Sequence, residues 1–145
     1  DRRFDFKIKT DKVVYLSDYA HHPEEIKQSI LSMRALYGDK KLTGIFQPHL
    51  YTRTRDFYLE FAESLSLLDE VILTDIYPAR ELPIEGVSSQ LIYDNLRPDI
   101  DKILCTKEEV IDILKKKEIE VLMTLGAGDI ENYAPQICEI LNERC

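Results

Sequence analysis

The sequence predicts an α/β fold with a largely parallel sheet and helices on both faces, and three observations point to it. Short apolar runs begin near residues 13, 41, 71, 102 and 120, and the first three gaps are close to the roughly 30 residues of a strand–helix–strand unit. Between the runs, apolar residues recur at three and four positions, the period of a helix with one buried face. The chain has 145 residues, 44% of them hydrophobic and 32% charged, an ordinary balance for one domain with a buried core.

The elements follow in order. Residues 4–8 alternate apolar and polar as a half-buried strand does. Residues 10–12 look like a turn and 13–16 a second strand, so the chain opens on a hairpin. Pro23 suits a first helical turn, and Glu24 and Glu25 favour its positive end. Ile26, Ile30 and Met33 give that helix its apolar face, and Gly38 is a natural stop. A strand is expected over 41–46, a helix over 55–68 carrying Phe57, Phe61, Leu65 and Leu68, and a buried strand over 71–73. A long polar loop, 75–87, leads to a helix near 88–96. A strand at 103–104, a helix over 107–117, a strand over 120–125 and a helix over 130–141 complete the pattern. Strands alternating with helices imply right-handed crossovers.

Charge and cysteines narrow the function. A net charge of −8 argues against nucleic acid and against an anionic membrane surface, both of which need clustered Lys and Arg. No apolar run approaches the roughly 20 residues of a membrane helix. Cys105, Cys138 and Cys145 are odd in number and form no close pair, so reduced thiols in a cytoplasmic protein are expected. The opening Asp1-Arg2-Arg3-Phe4 does not read as a secretory leader.

In an open α/β sheet, ligands bind beyond the carboxyl ends of the strands. Four polar, turn-rich segments follow strands here: 17–23, 47–55, 74–81 and 126–129. All three histidines, His21, His22 and His49, lie in the first two. Each candidate also has a plain structural reading. Asp18 or His22 would serve as a cap for the helix beginning at Pro23. Tyr19, Tyr51 and Tyr77 would serve as loop anchors. Gly126 and Gly128 fit a tight strand-to-helix turn, or close backbone approach by an anion. Arg53 and Arg55 stand near a helix start, where positive charge is unfavourable and an anionic partner explains it better. Metal ligation by the histidines is not expected, because no carboxylate or cysteine accompanies them at ligand spacing. No Gly-x-x-x-x-Gly-Lys-Ser/Thr phosphate loop, nucleophile–histidine pair or paired-carboxylate signature occurs. The pattern is that of a substrate-positioning half without a complete catalytic centre.

These segments resemble those of a known family. Asp18-Tyr19-Ala20-His21-His22-Pro23 is similar to the Asp-Tyr-Gly/Ala-His-His-Pro motif of the UDP-N-acetylmuramate–L-alanine ligases, members of the Mur ligase family. Phe46-Gln47-Pro48-His49-Leu50-Tyr51-Thr52-Arg53-Thr54-Arg55-Asp56 resembles that family's second motif. Asp75 through Glu81 with Pro83, Ile84 and Gly86, and Gly126 through Ile130, resemble its next two loops. Arg2-Arg3-Phe4 looks like the junction with a preceding domain. The likeness covers nearly the whole chain, with the motifs in order.

The resemblance implies that residues 1–145 are the C-terminal, Rossmann-like domain, with six strands and one antiparallel edge strand. A UDP-sugar domain and a central ATPase domain with the phosphate loop and Mg²⁺ would lie outside this chain. It implies ATP, L-alanine and UDP-N-acetylmuramate as ligands and an acyl phosphate intermediate. It places Asp18 and Tyr19 at the nucleotide, with Asp18 on the ribose hydroxyls, and gives His22 and His49 to the reacting centre. It puts His21, Tyr51, Arg53, Tyr77, Gly126 and Gly128 around the substrate, with Arg53 pairing the alanine carboxylate. Two positions depart from the family: Leu50 stands where Arg is common, and Arg80, a weaker candidate, stands where many members have Gly. The alternatives are the related ligase that recycles a murein tripeptide and a stand-alone nucleotide-binding module.

Overall fold

The structure, a computed structural model, describes residues 4–145; Arg2 and Arg3, read as part of the junction, lie outside the described residues. Six strands form one sheet: β1 Asp5–Lys9, β2 Val14–Asp18, β3 Leu42–Phe46, β4 Glu70–Leu73, β5 Asp101–Leu104 and β6 Val121–Leu125. Their order is β1-β2-β6-β3-β4-β5, parallel throughout except for the β1–β2 hairpin at one edge. The expected architecture is the observed one. Thr10 closes the hairpin: its backbone N–H donates to the Val13 carbonyl and its hydroxyl oxygen accepts from the Val13 N–H at 3.1 Å.

Neighbouring residues of a strand point to opposite faces, so a strand covered on both sides must be apolar throughout. That condition sorts the core. Leu16, Phe46, Leu73 and Met123 face one layer, built by α1 (Pro23–Leu36), α2 (Tyr51–Leu65) and α3 (Gln90–Asp94). Tyr15, Ile45, Ile72 and Leu122 face the other, built by α4 (Val110–Lys115) and α5 (Ala134–Asn142). The first three crossovers step one way along the sheet and the return to β6 steps the other. With one handedness, opposite steps put their helices on opposite faces.

Three helices differ from expectation in where they begin or how they are wound. The helix expected over 55–68 begins at Tyr51, because a distant carboxylate caps it. The helix expected over 130–141 is a 3-10 turn, Asp129–Tyr133, followed by α5. Pro135 has no N–H to give the carbonyl four residues back, so the turn before it tightens. The helix expected over 107–117 divides likewise into a 3-10 turn, Lys107–Glu109, and the short α4, with the Thr106 N–H on Glu109 at 2.8 Å.

At the amino edge, buried Glu70 accepts from the Thr43 hydroxyl at 3.2 Å and meets Lys41 at 3.3 Å and Lys117. Burial pushes its carboxyl up, and the two ammonium groups more than reverse that, leaving it below its ordinary value of 4.5. A depressed carboxyl stabilises the fold above the unfolded value and loses that contribution as pH falls through the folded one. Glu70→Gln is therefore expected to cost about 1 kcal/mol at neutral pH, since a hydrogen-bonded charge is lost but a polar partner stays. Urea unfolding at pH 7 and below pH 4.5 checks this: the variant should lose less stability with acid than the parent.

Candidate ligand site at the carboxyl edge

β6 lies between β2 and β3, and its outgoing chain passes to the opposite helix layer from theirs. Loops diverging above and below a sheet leave a crevice, and that is where such folds bind ligands. The four segments singled out in the sequence all meet there.

Four rings form a row across the crevice. Tyr19 stands on His21 with centroids 5.7 Å apart, His21 on His49 at 6.2 Å, and His49 on Tyr77 at 5.6 Å. The row therefore joins the loops after β2, β3 and β4. Backbone bonds hold the last two together: the Tyr77 N–H donates to the Pro48 carbonyl at 2.8 Å and the Leu50 N–H to the Tyr77 carbonyl at 2.9 Å. Arg53, in the first turn of α2, brings its guanidinium to the Nδ1 of His49 at 3.3 Å. Burial, then the charge of Arg53 and the nearby His21, hold His49 below its ordinary value of 6.5. A neutral His49 accepts from Arg53 at Nδ1 and so carries its own proton on Nε2. Its free side is a donor, suited to an oxyanion or phosphate oxygen rather than to proton abstraction.

The glycines serve protein groups. Gly126 has φ 144, and a Cβ there would lie 2.8 Å from the Gln47 carbonyl. A Cβ at Gly128 would meet the Gln47 side-chain oxygen and would lie 2.6 Å from Tyr77 Cγ. Gln47 is 1% exposed. It donates to Asp129 at 2.7 Å and accepts from the Ile130 N–H at 3.0 Å, tying the β3 loop to the β6 loop. Asp129 also pairs with Lys107. Burial pushes the Asp129 carboxyl up, and the Gln47 amide and Lys107 ammonium outweigh it, so it stays below its ordinary 3.8.

Other candidates are placed apart from the row. Asp18 is 2% exposed and faces inward: its carboxylate accepts from the Ala20 N–H at 3.0 Å and from the Ser29 hydroxyl. These bonds shape the turn before α1, whereas the cap position expected of Asp18 or His22 falls to His22. His22 caps α1 and lays its exposed ring on Phe57, centroids 5.1 Å apart. Tyr51 lines a neighbouring cavity of about 420 Å³ with Asp75, Ser89, Cys105 and Thr106, beyond the loop that carries Tyr77. Arg55 pairs with Asp56 at the surface, and Arg80 is exposed. Sequence reasoning did not give Gln47, Glu81, Lys107 or Asp129 a role. Only Gln47 had a usable signal, an amide directly after a buried strand.

The rings and a guanidinium gather beside β6, where the order of the parallel strands reverses, and their chemistry suits an anionic group at the carboxyl edge of the sheet. The chain belongs to the Mur ligase family: the family model for the Mur ligase, glutamate ligase domain, matches residues 2–130. It is 78% identical over 144 residues to the UDP-N-acetylmuramate–L-alanine ligase of Phocaeicola vulgatus, covering 99% of this chain and 31% of that one. The enzyme of the same name from Parabacteroides distasonis is 59% identical over 140 residues, 97% of this chain and 30% of its own. The crystal structure of UDP-N-acetylmuramate–alanine ligase from Thermotoga maritima superposes with a TM-score of 0.78 at 25% identity, over 99% of this chain and 30% of that one. The chain thus spans about a third of the length of the curated relatives it matches. No helix among the described residues is long and apolar enough to cross a membrane, and no group of three His, Cys, Asp or Glu among them is placed to hold a metal ion.

Proposed function

We propose that residues 1–145 are the amino-acid-binding domain of an ATP-dependent ligase that joins L-alanine to UDP-N-acetylmuramate in the cytoplasm. The observation that carries this reading is the 78% identity to a ligase of that name over 99% of the chain. The ring row with Arg53 supplies chemistry that fits it.

In this reading Arg53 receives the alanine carboxylate, which a planar guanidinium can take in two parallel hydrogen bonds. His49 sets the guanidinium from behind through Nδ1 and offers its Nε2–H to negative charge growing on the reacting oxygens. Tyr19 and His21, at the other end of the row, border the nucleotide. Tyr77 keeps His49 seated, and the turn at Gly126 and Gly128 keeps Tyr77 and Gln47 seated. Asp18 fixes the Tyr19–His21 turn by its bonds to Ala20 and Ser29, and the same carboxylate would take the ribose hydroxyls that the resemblance assigns to it. His22 supports α1 and α2 at the rim. ATP supplies the energy that activates the muramate carboxylate. The phosphates, the Mg²⁺ and the UDP-sugar would be held mainly by preceding domains. Closure of this domain over them would exclude water from the activated carboxylate.

Phosphate release by the complete ligase with ATP and UDP-N-acetylmuramate tests the reading. Stimulation by L-alanine is expected, and the 145-residue chain alone should give no turnover, because positioning needs both walls of the cleft. Stimulation by a murein tripeptide and not by alanine would move the assignment to the recycling ligase. Turnover by the chain alone would overturn the multidomain reading.

A further inference from the structure

The first turn of α2 carries the guanidinium on which the proposed function rests, and its own sequence gives it no cap. Leu50 stands at the cap position without a polar side chain, and the first turn holds no acidic residue. The Leu50 backbone, at φ 76 and ψ 137, is in a region that side-chain-bearing residues rarely adopt. Glu81, 30 residues further on, supplies the missing acceptors. Its Oε1 takes the N–H groups of Tyr51 at 2.5 Å and Thr52 at 3.1 Å, and its Oε2 takes the Thr52 hydroxyl at 2.5 Å. The Thr52 hydroxyl, foremost, and these N–H groups hold its carboxyl below the ordinary value of 4.5 despite some loss of solvent. The anion thus persists at neutral pH against the positive end of the helix.

The loop that carries Glu81 also carries Tyr77, which is bonded to Pro48 and Leu50 on either side of His49. Glu81 therefore closes a ring of contacts around the segment that holds His49 and Arg53. It also fills the α2 N-terminus with the protein's own carboxylate. A ligand carboxylate entering the crevice then finds those N–H groups taken, and the guanidinium remains.

We propose that Glu81 is a positioning residue for Arg53 and His49: by capping α2 from the β4 loop it holds the guanidinium on the His49 ring and leaves Arg53 as the carboxylate receptor. This rests on the reading of Arg53 as the partner of the alanine carboxylate. A carboxylate that merely stabilised the fold would change unfolding without separating one substrate from another.

The test uses the complete ligase with Glu81→Ala, Glu81→Gln, Arg53→Ala and the double variant Arg53→Ala/Glu81→Ala, read as kcat and as KM for alanine and for ATP. Glu81→Ala is expected to raise the alanine KM about tenfold with the ATP KM within about twofold. Glu81→Gln keeps an oxygen for both N–H groups and an amide that can donate to Thr52, and should recover most of the loss. In the double variant Glu81→Ala should add nothing to the Arg53→Ala effect, because partners acting through one another are not additive. An unchanged alanine KM in Glu81→Ala, or fully additive effects, would overturn the inference while leaving Arg53 in place. An unchanged KM in Arg53→Ala would instead overturn the reading beneath it. If Glu81→Ala does not fold, Thr52→Val removes only the hydroxyl contact. It should raise the alanine KM by about threefold, and no change there would overturn the inference equally.

Discussion

Replacing Arg53 with alanine in the complete ligase is expected to raise the alanine KM by roughly two orders of magnitude while leaving kcat within a few-fold. Removing one partner of a desolvated charge pair costs about 2–5 kcal/mol, and each 1.4 kcal/mol is tenfold in affinity. Arg53 is only partly buried, which places it toward the lower end of that range. The alanine carboxylate does not change charge during reaction, so Arg53 should hold the ground state and the transition state alike. Loss of such uniform binding appears in KM and not in kcat. A secondary effect passes through His49: without the neighbouring positive charge its pKa should rise toward 6.5, since that charge is one of the groups depressing it. Steady-state kinetics at saturating ATP and UDP-sugar measure the first effect, and an NMR titration of the imidazole measures the second. An alanine KM unchanged within twofold would remove Arg53 from the substrate site.

Gly128→Ala is expected to destabilise the domain by about 2–4 kcal/mol, the sum of an overpacked contact and a disturbed buried hydrogen bond. The new methyl group would collide with the Gln47 side-chain oxygen and with the Tyr77 ring, 2.6 Å away at Cγ. Neither neighbour can retreat freely. Gln47 is 1% exposed and both ends of its amide are in use, on Asp129 and on the Ile130 N–H. Tyr77 is packed on His49 and tied by its backbone to Pro48 and Leu50. The strain should therefore spread from the β6 turn to the end of the ring row. Gly86→Ala is the control, since nothing lies within 4 Å of the added methyl and only the φ of 82 opposes it. That variant should cost about 1 kcal/mol. Urea unfolding of the two variants separates them, and equal losses would show that Gly128 is not held by Gln47 and Tyr77.

The two kinds of expectation fared differently for a physical reason. Apolar periodicity reports burial on one face or two, and burial is what positions β3, β4, β6 and the helix cores. Ile26, Ile30 and Met33 fall on the buried face of α1 as their spacing required, and Val71, Ile72 and Leu73 are buried on both faces of the sheet. The start of α2 was not readable. Its cap is Glu81, and no local pattern links a helix start to a carboxylate 30 residues away. At the site, the convergence of four loops followed from strand direction alone. Which side chains meet within it did not. Adjacent His21 and His22 diverge, one into the ring row and the other onto Phe57, and the sequence carries no mark of which does which. Asp18 likewise turns inward to accept from the Ser29 hydroxyl of α1, a pairing visible only once α1 is folded against β2. Tyr51 and Arg53, two positions apart on a helix, point in different directions. One lines the cavity beside Cys105 and the other reaches His49.

The most direct measurement is a structure of the complete ligase with a non-hydrolysable ATP analogue and L-alanine. The alanine carboxylate should lie within hydrogen-bond distance of the Arg53 guanidinium, about 2.7–3.2 Å, with the His49 Nε2–H turned toward the phosphate side of the crevice. An alanine seated in the cavity between Tyr51 and Cys105, with Arg53 touching neither ligand, would contradict the account.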